Sequence, residues 1–317
     1  MNQEEFEFLL FDRIEKIKQI TEQYDLENNA YISFSGGKDS TVLHYLIDLA
    51  LPNNKIPRVF INTGIEYLDI VKFVKELAKI DDRFIIIPPT QPIKRVLETY
   101  GYPFKSKEHC VKVGQYQRGF INKSNIEYRN GSYLNENGEF IKARWCCPDI
   151  LKYQFEDDFK LQLSDKCCFK LKKEPASKWA KENNKTILLT GMRKEEGGQR
   201  TSLNCITTKN NKLVKFHPLI VVSEQWEDEF INQNNIKLCK LYYPPFNFKR
   251  TGCKGCPFAL GLQEQLDVME RLLPNEKKQC ESIWKPVYDE YRRIGYRLRK
   301  KGEIKQTSIF DFLEVDE

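Results

Sequence analysis

Apolar residues along this chain change their period in a regular way. Over 3–24, Phe6, Leu9, Leu10, Ile14, Ile17 and Ile20 recur three or four positions apart, which predicts an amphipathic helix. AYISF at 30–34 is then a short, nearly continuous apolar run, and Val42, Leu43, Leu46 and Ile47 return to helical spacing. The alternation repeats: RVFIN at 58–62 reads as a strand, Leu68, Val71, Val74 and Leu77 as a helix over 68–80, and 83–87 as a strand closed by Pro88-Pro89. Further on, TILLT at 186–190 reads as a strand, and 263–273 and 282–299 read as closing helices. Strands that are apolar throughout must be covered on both faces, so the pattern predicts an α/β fold with a doubly wound parallel sheet.

Residues 101–160 break the alternation. Asn, Gly, Tyr and Lys are frequent there, and Asn130-Gly131 and Asn137-Gly138 are hairpin signals, so this segment reads as an insertion on the sheet. The organisation expected is a helix at 1–24, an α/β domain over 25–260 carrying the insertion, a helical cysteine-bearing C-terminal part over 261–300, and a flexible tail over 301–317.

The first strand runs directly into SGGKDS at 35–40. A buried strand that stops at two glycines and turns into a helix leaves backbone N–H groups unpaired at the positive end of that helix, which is an anion site. Gly36 and Gly37 admit a phosphate without Cβ interference, Lys38 adds a mobile charge, and Ser35 and Ser40 add hydroxyls. The Walker A pattern is excluded, because Ile32 and Asp39 stand where it needs a glycine and a Ser or Thr. Ligands of such sheets sit beyond the carboxyl ends of the strands, so the turn Asn62-Thr63-Gly64 should face the same crevice. The strand at 186–190 ends in Gly191-Met192-Arg193, with Arg200 seven residues on, and guanidinium groups pair bidentately with phosphate or sulfate. His217, beside a proline in an apolar strand, reads as structural.

Composition bounds the partners. The chain has 317 residues, 40% of them hydrophobic and 30% charged, with a net charge of +6 that suits nucleotides or nucleic acid. No apolar run approaches the roughly 20 residues that span a membrane, and the acidic start MNQEEFEFLLFDRIEK does not resemble a signal peptide, so a cytoplasmic protein without a membrane partner is expected. Ten cysteines in such a chain point to metal or redox chemistry rather than a disulfide framework. Cys167-Cys168 and Cys253-x-x-Cys256 could supply four soft ligands for a [4Fe–4S] cluster or for zinc, with nearby lysines lowering the thiol pKa values. His109, Cys110, Cys146 and Cys147 fit no finger spacing and read as buried groups.

These motifs carry a resemblance. SGGKDS after a strand resembles the PP-loop of the adenine-nucleotide α-hydrolase superfamily. TGMRKEEGGQR resembles the Thr-Gly-x-Arg…Arg segment of the phosphoadenosine phosphosulfate reductase family, and KCCFKLKKEP with RTGCKGCPFA is similar to the Cys-Cys…Cys-x-x-Cys arrangement of its iron–sulfur adenylyl-sulfate reductases. The resemblance implies that Ser35, Gly36, Gly37, Lys38, Asp39, Ser40, Thr63, Gly64 and Gly191 bind the nucleotide, and that Lys38, Asp39, Arg193 and Arg200 act on it. Asp39 would orient Lys38 or help hold Mg²⁺. Cys168, Cys253 and Cys256 would be cluster ligands, with Cys167 and Cys205 as rivals for the fourth place. Two departures matter: the reductases' terminal Glu-Cys-Gly-Leu/Ile-His tail is missing around Cys280, and the loop has the full form found in enzymes that split ATP.

The expectation is therefore an enzyme binding ATP, or a related adenylate, that carries out adenylation-coupled sulfur transfer with a [4Fe–4S] cluster, on nucleic acid and with a sulfur or electron donor protein. A sulfonucleotide reductase releasing sulfite and a nucleotide-binding, DNA-associated module with structural zinc are the alternatives. The tail, with Gln306, Ile309, Phe310 and Phe312, resembles a peptide that docks on a DNA sliding clamp.

Overall fold

A computed structural model describes residues 1–142, 146–300 and 302; the clamp-like peptide at Gln306, Ile309, Phe310 and Phe312 lies outside the described residues. The strands are β1 (Ala30–Phe34), β2 (Arg58–Ile61), β3 (Phe84–Ile87), β4 (Ser132–Leu134), β5 (Phe140–Lys142), β6 (Ile187–Leu189), β7 (Ile206–Lys209) and β8 (Lys212–Phe216). Six form one sheet in the order β3-β2-β1-β6-β8-β7, and β4 and β5 pair with each other. The chain divides into two compact units, 1–99 with 166–254, and 100–165 with the residues from 255 on.

The first unit is the α/β layer structure that the alternation predicts. Ala30 and Ile32 of β1 and Ile187 and Leu189 of β6 pack with the helices Gln3–Tyr24 and Lys38–Ala50 and with Trp226 and Phe230. Tyr31 and Leu188, one position along, join Val59, Trp179 and Ala180 on the opposite face. The two-residue period of the strands thus feeds both faces. The expected all-parallel sheet has one exception: β7 is antiparallel to β8, joined through Asn210 and Asn211, both at positive φ (50° and 58°). Two asparagines at positive φ make the tight hairpin turn that the apolar pattern alone does not reveal. β8 ends at Phe216, where the chain turns at His217-Pro218 before the helix Glu224–Gln233.

Strands β1, β2 and β3 fill one side of the sheet, and the chain then crosses to place β6 parallel to β1 on the other. That reversal makes the gap beyond β1 and β6 the topological switch point where doubly wound sheets bind ligands.

The second unit holds the helices Lys107–Gln117 and Lys123–Asn130, the β4–β5 hairpin and three helices at Leu262–Leu272, Pro274–Ile283 and Lys285–Ile294. The closing helix expected over 282–299 is divided at Trp284. Asn137-Gly138 forms the expected hairpin turn, but Gly131 does not: at φ 75° it ends the helix Lys123–Asn130. A glycine at positive φ serves a helix C-terminus as readily as a hairpin. His109 is fully buried between Tyr128 (3.0 Å) and Gln154 (2.6 Å), and Cys110 is buried against the backbone of Phe104, as expected of satisfied interior groups. Among the described residues, no helix is long and apolar enough to cross a membrane.

Candidate functional site

The site is built on the carboxyl ends of β1 and β6. After Phe34 the backbone turns at Gly36 (φ 71°), where a Cβ would lie 2.9 Å from Ile70 Cγ2, and Gly37 caps the helix Lys38–Ala50 without any side-chain hydrogen bond. An uncapped helix N-terminus behind a glycine turn is the geometry of an anion site, and two of its donors are engaged here by neutral hydroxyls, the Gly37 N–H by Ser35 and the Lys38 N–H by Tyr242. Hydroxyls brace the loop from within: Ser35 N–H donates to Ser40 Oγ (3.1 Å), Gly37 N–H to Ser35 Oγ (3.3 Å), and Ser40 Oγ to the Gly37 carbonyl (3.0 Å).

The loop after β6 comes against it. Gly191 sits so close to Asp39 that a Cβ would lie 2.5 Å from the Asp39 carbonyl oxygen, which brings Arg193 to the phosphate loop: its Nε donates to Asp39 Oδ1 at 3.2 Å. Arg193 also pairs with Glu195 (2.8 Å) and Glu227 (3.1 Å). Glu227 is fully buried, and burial, reinforced by Asp39, pushes its carboxyl up to about 9. Lys38 is held by Glu224 (3.2 Å) and Asp228 (3.0 Å), contacts that outweigh burial and raise its pKa. Arg200 pairs with Glu196 at 3.1 Å, and Arg250 pairs with the same carboxylate.

These residues surround a cavity of about 840 Å³ lined by Ser35, Gly37, Lys38, Asp39, Arg193 and Arg200, with Tyr31, Phe60, Ile61 and Leu188 as its apolar wall. That volume and mixture suit a nucleotide. Thr63 is buried and donates its N–H (2.8 Å) and hydroxyl to Glu66, and Glu66, rather than Thr63 or Gly64, lines the cavity. Several members of the site were not singled out from the sequence: Glu66, Glu227, Tyr242 and Thr251. Tyr242 accepts the Lys38 N–H at 3.0 Å and meets Thr251 Oγ1 at 2.7 Å. Only Glu227 had a readable signal, since Glu224, Glu227 and Asp228 are spaced to share one helix face.

The cysteines divide. Lys172 pairs with Glu66 at 3.3 Å, and the Lys172 ammonium and the thiols of Cys168 and Cys253 are near enough to shift one another's titration. Burial raises the Cys253 thiol, with Lys172 opposing it. Cys167 is buried beside Cys168 in the helical segment 166–173, and Cys256 follows Cys253 in the chain as part of the second unit. Cys205 lies elsewhere in the first unit, 3.8 Å from Arg13 Nη1 and 3.6 Å from the His217 carbonyl. Thiols beside a cation have the right chemistry for an iron–sulfur cluster or zinc. Among the described residues, however, no three His, Cys, Asp or Glu side chains are gathered in a way that could hold a metal ion.

The phosphoadenosine phosphosulfate reductase domain model matches residues 29–127 and 148–259, most of the chain. An uncharacterized protein of Methanocaldococcus jannaschii is 34% identical over 111 residues, 32% of this chain; the chain spans about a quarter (26%) of that relative. Among solved structures, phosphoadenylyl-sulfate reductase from Candida auris matches with a TM-score of 0.43 at 17% identity, covering 80% of this chain and 96% of its own. The U34-tRNA thiolase NcsA of Methanococcus maripaludis, with its [4Fe–4S] cluster, matches with a TM-score of 0.37 at 16% identity, covering 96% and 86%. With its SGGKDS loop braced at the switch point and the family model matched over both halves of the sheet, the chain belongs to the phosphoadenosine phosphosulfate reductase domain family of the PP-loop superfamily.

Proposed function

We propose that the protein binds ATP and uses it for adenylation-coupled sulfur transfer. One observation carries the ATP reading: the SGGKDS loop presents Ser35, Gly37, Lys38 and Asp39, together with Arg193, to one cavity of about 840 Å³ at the switch point. The N–H groups behind Gly36 and Gly37, with Lys38, would hold the departing pyrophosphate as its charge develops. Arg193 would hold the α-phosphate side, Arg200 would meet an anionic acceptor, and Asp39 would orient Arg193 or help hold Mg²⁺. Lys172 would be the group connecting the nucleotide cavity, through Glu66, to Cys253.

The expected ligands of a [4Fe–4S] cluster, with zinc as the alternative metal, are Cys168, Cys253 and Cys256 with Cys167 or Cys205 as the fourth, and among the described residues these are not gathered as a metal site. The cluster, when bound, would supply the site that receives or presents sulfur. A nucleic-acid acceptor fits the net charge of +6, and a sliding clamp would engage the tail peptide. The test is anaerobic purification with iron, sulfide and zinc analysis, followed by turnover of ATP and of sulfonucleotides on the same sample. Pyrophosphate release that requires a nucleic acid and disappears in Lys38→Ala supports the proposal. Sulfite release from a sulfonucleotide with a thiol reductant would replace it with the reductase reading, and colourless protein with stoichiometric zinc would remove the cluster.

A further inference from the structure

Lys38, the cation at the centre of the phosphate loop, is already neutralised. Its ammonium lies 3.2 Å from Glu224 and 3.0 Å from Asp228, which are four residues apart on the helix Glu224–Gln233 and so project from one face. The Lys38 side chain is only 12% exposed, whereas the two carboxylates are 59% and 57% exposed. The helix that carries them is fixed in place. Trp226 is fully buried between Phe6 and Phe230, Ser223 caps the first turn, and the Glu224 N–H donates to Glu195, which also holds Arg193. Beside the two carboxylates is a second recess of about 410 Å³, bordered by Lys38, Glu224 and Asp228 themselves. Solvated, rotatable carboxylates with open space beside them can leave a lysine that stays where it is.

We propose that Glu224 and Asp228 form a displaceable anionic latch on Lys38: they occupy the ammonium in the empty site, swing toward the second recess when a polyphosphate arrives, and return as pyrophosphate leaves. The latch rests on the ATP reading for its biological ligand, but its physical content is narrower. It states that carboxylates compete with phosphate for one ammonium, so removing their charge strengthens anion binding, the opposite of what the loss of a ligand-binding or metal-holding group does. Because both carboxylates are more than half exposed, the competition is screened, and each neutralisation should tighten binding about two- to fivefold.

The probe is inorganic pyrophosphate, titrated calorimetrically with and without Mg²⁺ into the full chain and into Glu224→Gln, Asp228→Asn and, as a control on the same helix, Glu229→Gln. Circular dichroism establishes that each variant is folded. Tighter binding by the first two variants, no change in the third, and loss of the gain when Lys38→Ala is added support the latch. Pyrophosphate binding only after neutralisation supports it as well. Unchanged or weaker binding by Glu224→Gln and Asp228→Asn, including weakening seen only with Mg²⁺, overturns it, and so does an absence of binding in every protein. Failure of the ATP reading is separate: the wild-type chain and the neutralised variants would then bind pyrophosphate, yet none would release it from ATP.

Discussion

The carboxyl group of Glu227 lies 3.1 Å from Arg193 Nε, yet the single N–H of that nitrogen is directed at Asp39, and both Glu227 oxygens are buried without a hydrogen bond among the described residues. Burial and the neighbouring Asp39 push this carboxyl from its ordinary 4.5 to about 9. The folded protein therefore holds a proton that the unfolded chain releases above about pH 4.5, and stability falls as pH rises across that window by about 1.4 kcal/mol per unit. Glu227→Gln removes this dependence. Denaturant unfolding at pH 6, 7 and 8 should show the variant gaining on the wild type with each step, and a constant difference would mean that Glu227 is ionised in the fold.

Gly191 is required by close approach rather than by its torsion angles. A Cβ there would lie 2.5 Å from the Asp39 carbonyl oxygen and 2.8 Å from its carbon, both main-chain atoms that cannot rotate away. Gly191→Ala should cost about 1–3 kcal/mol of stability and displace the phosphate loop from Arg193, weakening nucleotide binding by more than the stability loss explains. Paired denaturation and ATP titration check both effects.

Cys167 and Cys205, the rivals for the fourth ligand place, lie in different surroundings. Cys205 packs near Arg13 and the His217 carbonyl, while Cys167 is buried and adjoins Cys168 in one helical turn. Cys205→Ser should leave the iron and sulfide content of anaerobically purified protein unchanged, and Cys167→Ser should lower it. The reverse pattern would make Cys205 the fourth ligand.

Acid should weaken both units. His44 in the first and His109 in the second are each held down to about 4, by burial first and then, respectively, by the Arg58 charge and against the Gln154 hydrogen bond. The unfolded chain takes up protons at these histidines below about pH 6.5 and the folded one does not until about pH 4, so each removes about 1.4 kcal/mol per pH unit between those values. His109→Gln should lessen the loss on going from pH 6.5 to 5 in urea unfolding, and an undiminished loss would place the acid sensitivity elsewhere.

Much of this molecule is written in local pattern. The three- and four-residue spacing of Leu10, Ile14, Ile17 and Ile20, the apolar run Ala30–Phe34 and the glycines before Lys38 determine a helix, a buried strand and a phosphate loop, because period and backbone freedom are properties of a few adjacent residues. The antiparallel β7 and the role of Gly131 were ambiguous for the same reason: a positive-φ residue serves several turns, and only its neighbours in space choose among them. The charge state of the site belongs wholly to the tertiary structure. That Lys38 meets Glu224 and Asp228 across more than 180 residues, that Glu227 is buried against Arg193, and that Cys205 lies by Arg13 follow from which strands adjoin in the sheet. Sequence supplies the charged groups, but their pairing and desolvation depend on distances that only the assembled fold sets.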